Sequence, residues 1–310
     1  MNKGTNKGKY LITIAGPTGV GKTSTTIKLA QHFVADIFSA DSRQLYKEMS
    51  IGTAKPTGLD LSQAKHHFIN HLSINEHYNA GIYERQFNER ISSYFAENDI
   101  GILTGGTGMY IRAAIEGLDH FPDISDETRD KYEKIAAADG LETLQNLIKD
   151  LDPEYADIVD INNARRLSRA LEVIETSGKT FTSFLNQKKE RKPSYTPIKI
   201  CLTRDRAELY DRINQRVDQM MIDGQLDEVK RLLPFKDLKS MQTVGYSELF
   251  RHLEGELSLD EAVELFKRNS RRYAKRQMTW FRNQGEWEMI DAEDYDGIVN
   301  SINKIITHTL

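Results

Sequence analysis

The chain has 310 residues, 39% hydrophobic and 28% charged, with 42 Lys and Arg against 46 Asp and Glu for a net charge of −4. That length buries a sizeable core, and the balance excludes both bulk disorder and a membrane-embedded chain. A globally basic nucleic-acid binder is excluded too, so any polyanion site has to come from local clustering.

The start, Met1–Lys9, is polar and basic without an apolar centre, so it is neither a signal peptide nor an anchor. No apolar run reaches the roughly 18 residues of a spanning helix. The single cysteine, Cys201, excludes an internal disulfide and a thiolate-based structural zinc, and a cytoplasmic location is expected.

Short apolar runs at Tyr10–Ala15, Ile37–Ala40, Ile100–Thr104, Ile198–Leu202 and Trp287–Ile290 alternate with helix-like segments. This pattern predicts an α/β core, a doubly wound parallel sheet covered on both faces. From Gly117 to Ser194 no strand pattern occurs. Leu141, Leu144, Leu147 and Ile148, then Leu167, Ala170, Leu171 and Ile174, repeat with helical spacing. The expected organisation is a core in two parts, 1–116 and 195–310, around a helical insertion at 117–194, with Lys188–Pro193 as a basic exit loop. Helices are expected over Thr26–Phe33, Ala207–Leu233 and Leu259–Arg282.

Four segments carry chemistry. Gly16-Pro17-Thr18-Gly19-Val20-Gly21-Lys22-Thr23 satisfies G-x-x-x-x-G-K-[ST] between a strand and a helix, the P-loop pattern of ATP- and other nucleotide-binding proteins. Its amides wrap a di- or triphosphate, Lys22 supplies a point charge and Thr23 can ligate Mg²⁺. The pattern does not say whether those phosphates belong to a nucleotide. Asp41-Ser42-Arg43-Gln44 ends the second strand-like run, where open sheets place ligands. Asp41 is there a general base, a metal partner, or merely the N-cap of a following helix, and Arg43 and Gln44 are solvated in the plainer version. Gly105-Gly106-Thr107-Gly108-Met109-Tyr110 permits close backbone approach and offers the Thr107 hydroxyl at the same edge, or forms a plain turn. Finally, Lys267, Arg268, Arg271, Arg272, Lys275, Arg276 and Arg282 make an acid-free stripe with Tyr273, Trp280 and Phe281 interleaved. Positions 268, 272 and 276 share one helix edge and 267, 271 and 275 the next, which suits phosphates unless acids elsewhere pair with them.

Other clusters are plainer. His66, His67 and His71 lack the neighbours of a metal site and are expected to be satisfied or exposed. Arg165 and Arg169 share a helix face, equally fit for a polyanion or for solvent. Arg216, alone on a helix-like segment, reads as surface.

Jointly, Gly16–Thr23, Asp41–Tyr46, Ile51–Pro56, Gly105–Tyr110, Asn163–Glu172, Asn214–Val217, Val244–Tyr246 and Lys275–Arg282 resemble the tRNA dimethylallyltransferase family, in family order over nearly the whole chain. The resemblance implies a P-loop core holding the diphosphate of dimethylallyl diphosphate, and a helical insertion gripping a tRNA anticodon stem-loop. The implied reaction is prenyl transfer to N6 of the adenosine immediately 3′ of the anticodon. Under it, Asp41 is the general base and Thr107 positions the amine. Lys22, Arg216 and Thr23-bound Mg²⁺ neutralise the leaving group. Asp41, Ser42, Arg43, Gln44, Thr107, Arg129, Arg165, Arg166, Leu167, Ser168 and Arg169 contact tRNA. A bacterial-type enzyme without a zinc-finger extension is implied, with a monomer as the default.

Three alternatives use the same residues. A P-loop kinase of a small acceptor has little need of the insertion and the cationic stripe. A prenyltransferase of free AMP leaves Arg165 and Arg169 surplus. A non-catalytic RNA-binding protein with a relic P-loop has no need of Lys22, Thr23 and Asp41 together.

Overall fold

The computed structural model describes residues 8–185 and 193–308. The start as far as residue 7, and the basic exit loop as far as residue 192, lie outside the described residues. The chain forms two compact units, one of Met1–Ile115 with Pro193–Leu310, the other of Glu116–Lys192.

The first unit opens with β1 (Tyr10–Ala15), α1 (Lys22–Phe33), β2 (Ile37–Ser39), α2 (Gly58–Gln63), β3 (His66–His67), α3 (Ala80–Glu97), β4 (Ile100–Gly105) and α4 (Gly108–Ile115). The second unit contributes α5 (Asp126–Ala138), α6 (Gly140–Leu151), α7 (Pro153–Ile158) and α8 (Ala164–Ser177). The first then resumes with β5 (Thr196–Thr203), α9 (Arg206–Ile222), α10 (Gln225–Leu232), α11 (Ser247–Leu253), α12 (Leu259–Asn283), β6 (Glu288–Asp291) and α13 (Tyr295–His308).

The six strands order as β3-β2-β4-β1-β5-β6, and every described pairing is parallel. The α/β class read from the apolar runs is what the chain forms. All six residues of β1 are buried between β4 and β5, which explains its unbroken apolar sequence. Ile12 and Ile14 are fully covered, and burial of such a side chain contributes about 1.5–3 kcal/mol. The strand expected at Trp287–Ile290 sits one residue later and is largely exposed, as an edge strand can be. Two-residue β3 escaped the pattern altogether. The helix expected over Ala207–Leu233 is two, because Gly224 adopts φ 99° between α9 and α10.

In the second unit, Leu144, Ile148, Leu167, Ala170 and Leu171 form the centre of a separate core. His66 and His67 take structural places, whereas both ring nitrogens of His71 are buried without a hydrogen-bond partner among the described residues, so His71 is neither satisfied nor exposed as expected. Arg90 Nε donates to His67 Nδ1 at 3.1 Å, so the proton sits on Nε2, which donates to Asp36 at 2.7 Å. Burial holds His67 below its ordinary pKa, despite the hydrogen bond to Asp36. Cys201 is buried on β5, and burial pushes its thiol up to about 12.

Candidate active site

The carboxyl ends of β1, β2, β4 and β5 open onto one edge of the sheet, the ligand edge of open α/β folds. After β1 the chain turns through Gly16, Gly19 and Gly21 at φ 144°, 81° and 118°. A side chain at Gly16 would meet the Leu202 carbonyl at 2.9 Å, and one at Gly19 would meet Ile213 at 2.9 Å. Helix α1 starts at Lys22 with no side-chain cap and no acidic residue in its first turn, which leaves its leading amides to an anion. The outer face of the loop is held by cations: Arg212 Nε donates to Gly19 O at 3.0 Å and Arg204 Nε to Val20 O at 3.4 Å. Lys22 Nζ donates to Gly16 O and Pro17 O, each at 2.9 Å. Burial lowers the Lys22 ammonium to about 8, with Asp41 opposing the shift and Arg216 adding to it.

Across from this cradle, β2 delivers Asp41. Its Oδ1 accepts from the amides of Arg43 at 2.9 Å and Gln44 at 3.2 Å, closing a turn rather than capping a helix. No helix follows until α2, so the N-cap reading is replaced by an Asx-type turn that fixes the carboxylate. Gln44 is not merely solvated: its Nε2 donates to the carbonyls of Thr53 and Ala54, each at 3.1 Å. The Thr107 hydroxyl receives the Ser42 amide at 3.1 Å, placing Thr107 beside the Asp41 turn. Glycines make this approach possible. A side chain on Gly105 would lie 2.2 Å from the Ala40 carbonyl oxygen, and one on Gly108 would lie 2.4 Å from the Trp280 ring. Tyr273 also faces this region, its phenol pushed up to about 12 by burial and the nearby Asp41 charge.

Arg216 joins the two sides. Its guanidinium lies 3.5 Å from the Thr18 hydroxyl and 3.4 Å from the Ala54 carbonyl, so the surface reading of this lone arginine is overturned. Helix α9 turns it inward beside buried Ile213 and Val217. Burial lowers its pKa, and the Asp41 charge opposes that. The turn that presents Ala54 is pinned by Glu228 of α10, which is 3% exposed and accepts from the amides of Ser50, Ile51 and Gly52 and from the Tyr246 hydroxyl. A cavity of about 720 Å³ results, lined among others by Thr18, Lys22, Thr23, Asp41, Arg216 and Tyr273. It can hold a polyphosphate against a fixed carboxylate.

The family model for IPP transferase matches residues 44–284. A "tRNA dimethylallyltransferase" of Christiangramia forsetii is 44% identical over 95% of this chain and 99% of its own length. "tRNA dimethylallyltransferase 1" of Bacteroides thetaiotaomicron is 47% identical over 96% and 97%. The chain belongs to the tRNA dimethylallyltransferase family. The solved tRNA isopentenylpyrophosphate transferase of Bacillus halodurans superposes with a TM-score of 0.71 at 35% identity, covering 97% of this chain and 96% of that one. A eukaryotic dimethylallyltransferase captured acting on tRNA gives 0.79 at 26%, covering 96% of this chain and 77% of its own.

The remaining residues that the dimethylallyltransferase resemblance points to lie elsewhere. In the second unit, Arg165 and Arg166 project from the first turn of α8 into solvent. Arg169 pairs with Glu172 at 3.3 Å over the Phe121 ring, and Arg129 pairs with Asp126 at 3.0 Å. Leu167 and Ser168 are buried in that unit's core, so their side chains do not offer the contact expected of them. On α12 two of the seven cations of the stripe are tied to a neighbouring helix. Lys267 pairs with Asp218 at 2.7 Å and Arg271 donates to Asn214 at 2.5 Å, both on α9. Arg268, Arg272 and Arg276 stay exposed, and no ion pair holds them among the described residues. Among dimethylallyltransferase motif positions, Gln277 had drawn no role from sequence. The available signal was its place in the buried stripe Ala262, Phe266, Ser270, Ala274, Gln277 and Phe281, where it is the one long polar side chain.

Proposed function

We propose that this chain transfers a dimethylallyl group from dimethylallyl diphosphate to N6 of the adenosine immediately 3′ of the anticodon in tRNA, releasing diphosphate. The observation that carries this reading is the facing of Lys22 and Arg216 by Asp41 across one cavity. Family membership supplies the chemistry of the two ligands.

The α1 amides and the Lys22 ammonium take the diphosphate, and Arg216 closes on it from α9. Displacing diphosphate from an allylic carbon builds negative charge on the leaving oxygens, so these fixed cations act on the charge that develops in the transition state. The Thr23 hydroxyl and phosphate oxygens are hard donors and fit Mg²⁺, which when bound adds further neutralisation of the diphosphate. Asp41, held by the Arg43 and Gln44 amides, receives the proton of the amine as the N–C bond forms. Thr107, beside the Asp41 turn, orients the amine. The adenosine has to leave its stack to reach this depth, at lower cost in a loop than in a duplex. The exposed edge of α12 and the α8 guanidiniums supply sequence-independent attraction for tRNA phosphates. The reading places the protein in the cytoplasm as a monomer, with its tRNA.

The test is transfer of label from dimethylallyl diphosphate to unmodified tRNA with Mg²⁺, beside arms offering AMP as acceptor and ATP as donor. Label on tRNA alone is expected. Label on AMP, or phosphoryl transfer from ATP, overturns the reading. Asp41→Asn, which keeps an oxygen for the Arg43 and Gln44 amides but cannot take the proton, should lower turnover by about 10²–10⁴-fold with tRNA affinity retained.

A further inference from the structure

The phosphate loop and the Gly106–Thr107 loop leave the adjacent strands β1 and β4, which pair as far as Ala15 and Gly105, and beyond that pairing one side chain joins them. Gln277 of α12, 7% exposed, accepts the Thr18 amide on its Oε1 at 2.9 Å and donates from Nε2 to the Gly106 carbonyl at 2.9 Å. Only one orientation of the amide satisfies both partners, since a backbone N–H can only donate and a carbonyl can only accept. Thr18 belongs to the phosphate loop. Gly106 precedes Thr107, whose hydroxyl receives the Ser42 amide beside Asp41. Gly106 is also the residue that admits the bridge, because a Cβ there would lie 2.2 Å from Gln277 Nε2.

We infer that Gln277 is a positioning residue that sets the distance between the leaving-group side and the nucleophile side of the site. A displacement reaction needs the incoming nitrogen, the carbon and the departing oxygen in line, and misplacement by about 1 Å costs about 10²-fold. The phosphate loop is anchored outward by Arg204 and Arg212, and the Asp41 turn inward by its own amides. Gln277 is the direct side-chain link between Thr18 and Gly106, and it touches neither the transferred carbon nor the amine in this scheme.

For its kinetic readout the inference rests on the prenyl-transfer reading. Gln277→Ala should lower kcat about 10²-fold while the Kd for tRNA stays within about twofold. Gln277→Glu offers a readout that a purely structural role would not move. A carboxylate accepts from Thr18 but repels the Gly106 carbonyl, whereas the protonated acid both accepts and donates. Burial and the facing Gly106 carbonyl raise the introduced carboxyl above its ordinary value of about 4.3, so the deficit of Gln277→Glu against wild type should shrink as the pH falls from about 8 to about 5. Gly106→Ala should be damaging in the wild-type background, where it collides with Nε2, and nearly silent in Gln277→Ala. Wild-type kcat in Gln277→Ala, a pH-independent deficit in Gln277→Glu, or loss of tRNA affinity with kcat retained overturns the inference. If wild-type protein transfers no label, the reaction reading fails, and the bridge is judged by calorimetry with magnesium pyrophosphate. A Kd about tenfold weaker in Gln277→Ala sustains it, and an equal Kd overturns it.

Discussion

Removing the Glu228 carboxylate tests whether a buried charge is what shapes the turn under Arg216. The carboxylate accepts from Ser50 at 3.0 Å, Ile51 at 2.9 Å, Gly52 at 3.2 Å and the Tyr246 hydroxyl at 2.6 Å. In Glu228→Ala these four donors lose their acceptor. Ser50 is exposed and water replaces the lost oxygen, so it contributes little. Ile51 and Gly52 are half-buried and each contributes about 1 kcal/mol, while the fully buried Tyr246 hydroxyl contributes about 1–3 kcal/mol. Together the loss is about 3–5 kcal/mol, or a fall of roughly 10 °C in Tm for a unit of this size. Denaturant unfolding of Glu228→Ala and Tyr246→Phe, singly and together, measures it, and the double variant should be little worse than Glu228→Ala because the two groups share one hydrogen bond. The freed turn also carries the Ala54 carbonyl that holds Arg216 and Gln44, so donor affinity should fall as well. A loss below about 1 kcal/mol in Glu228→Ala would refute the reasoning, since the turn would then hold itself.

Other expectations concern charge and strain. Because burial sets the free Lys22 ammonium at about 8, and only its protonated form attracts diphosphate, kcat/KM for the donor should decline as the pH rises through about 8, with kcat less affected; a flat profile to pH 9.5 removes Lys22 from donor binding. Arg272→Ala with Arg276→Ala should weaken tRNA binding and flatten its log–log salt slope by about 1.5–2, and an unchanged slope returns this edge to plain solvent exposure. Val34, at the end of α1, is 86% exposed and sits at φ 51°, a poor conformation for a β-branched residue; Val34→Gly should stabilise by about 1 kcal/mol in thermal or denaturant unfolding, and destabilisation contradicts the strain assignment.

The interior strands were legible because β1, β4 and β5 are buried on both faces and read as apolar runs, whereas β3 is two residues long and β6 is exposed at the edge. The phosphate loop was legible because its glycines and Lys22 act on a ligand through local backbone geometry. Arg216 was legible only through the family resemblance and not from its own spacing, since the groups it faces, Thr18 and Ala54, are distant in sequence. The same holds for Lys267 and Arg271: a helix shows its own charge spacing, but Asp218 and Asn214 reach them from α9. Glu228 carries its role through amides, which leave no trace in residue identity.

The guanidiniums of Arg204 and Arg212 on the outer carbonyls of the phosphate loop bear on the thermodynamics of ligand uptake. Their hydrogen bonds to the Gly19 and Val20 carbonyls are made within the chain, so ordering of the loop belongs to folding more than to association. Lys22, for its part, merely exchanges two neutral carbonyls for phosphate oxygens. Uptake of a diphosphate should then register as an enthalpic event with a small ordering entropy, quick in onset. Selectivity among anions then falls to the shape of the cradle that those internal bonds fix.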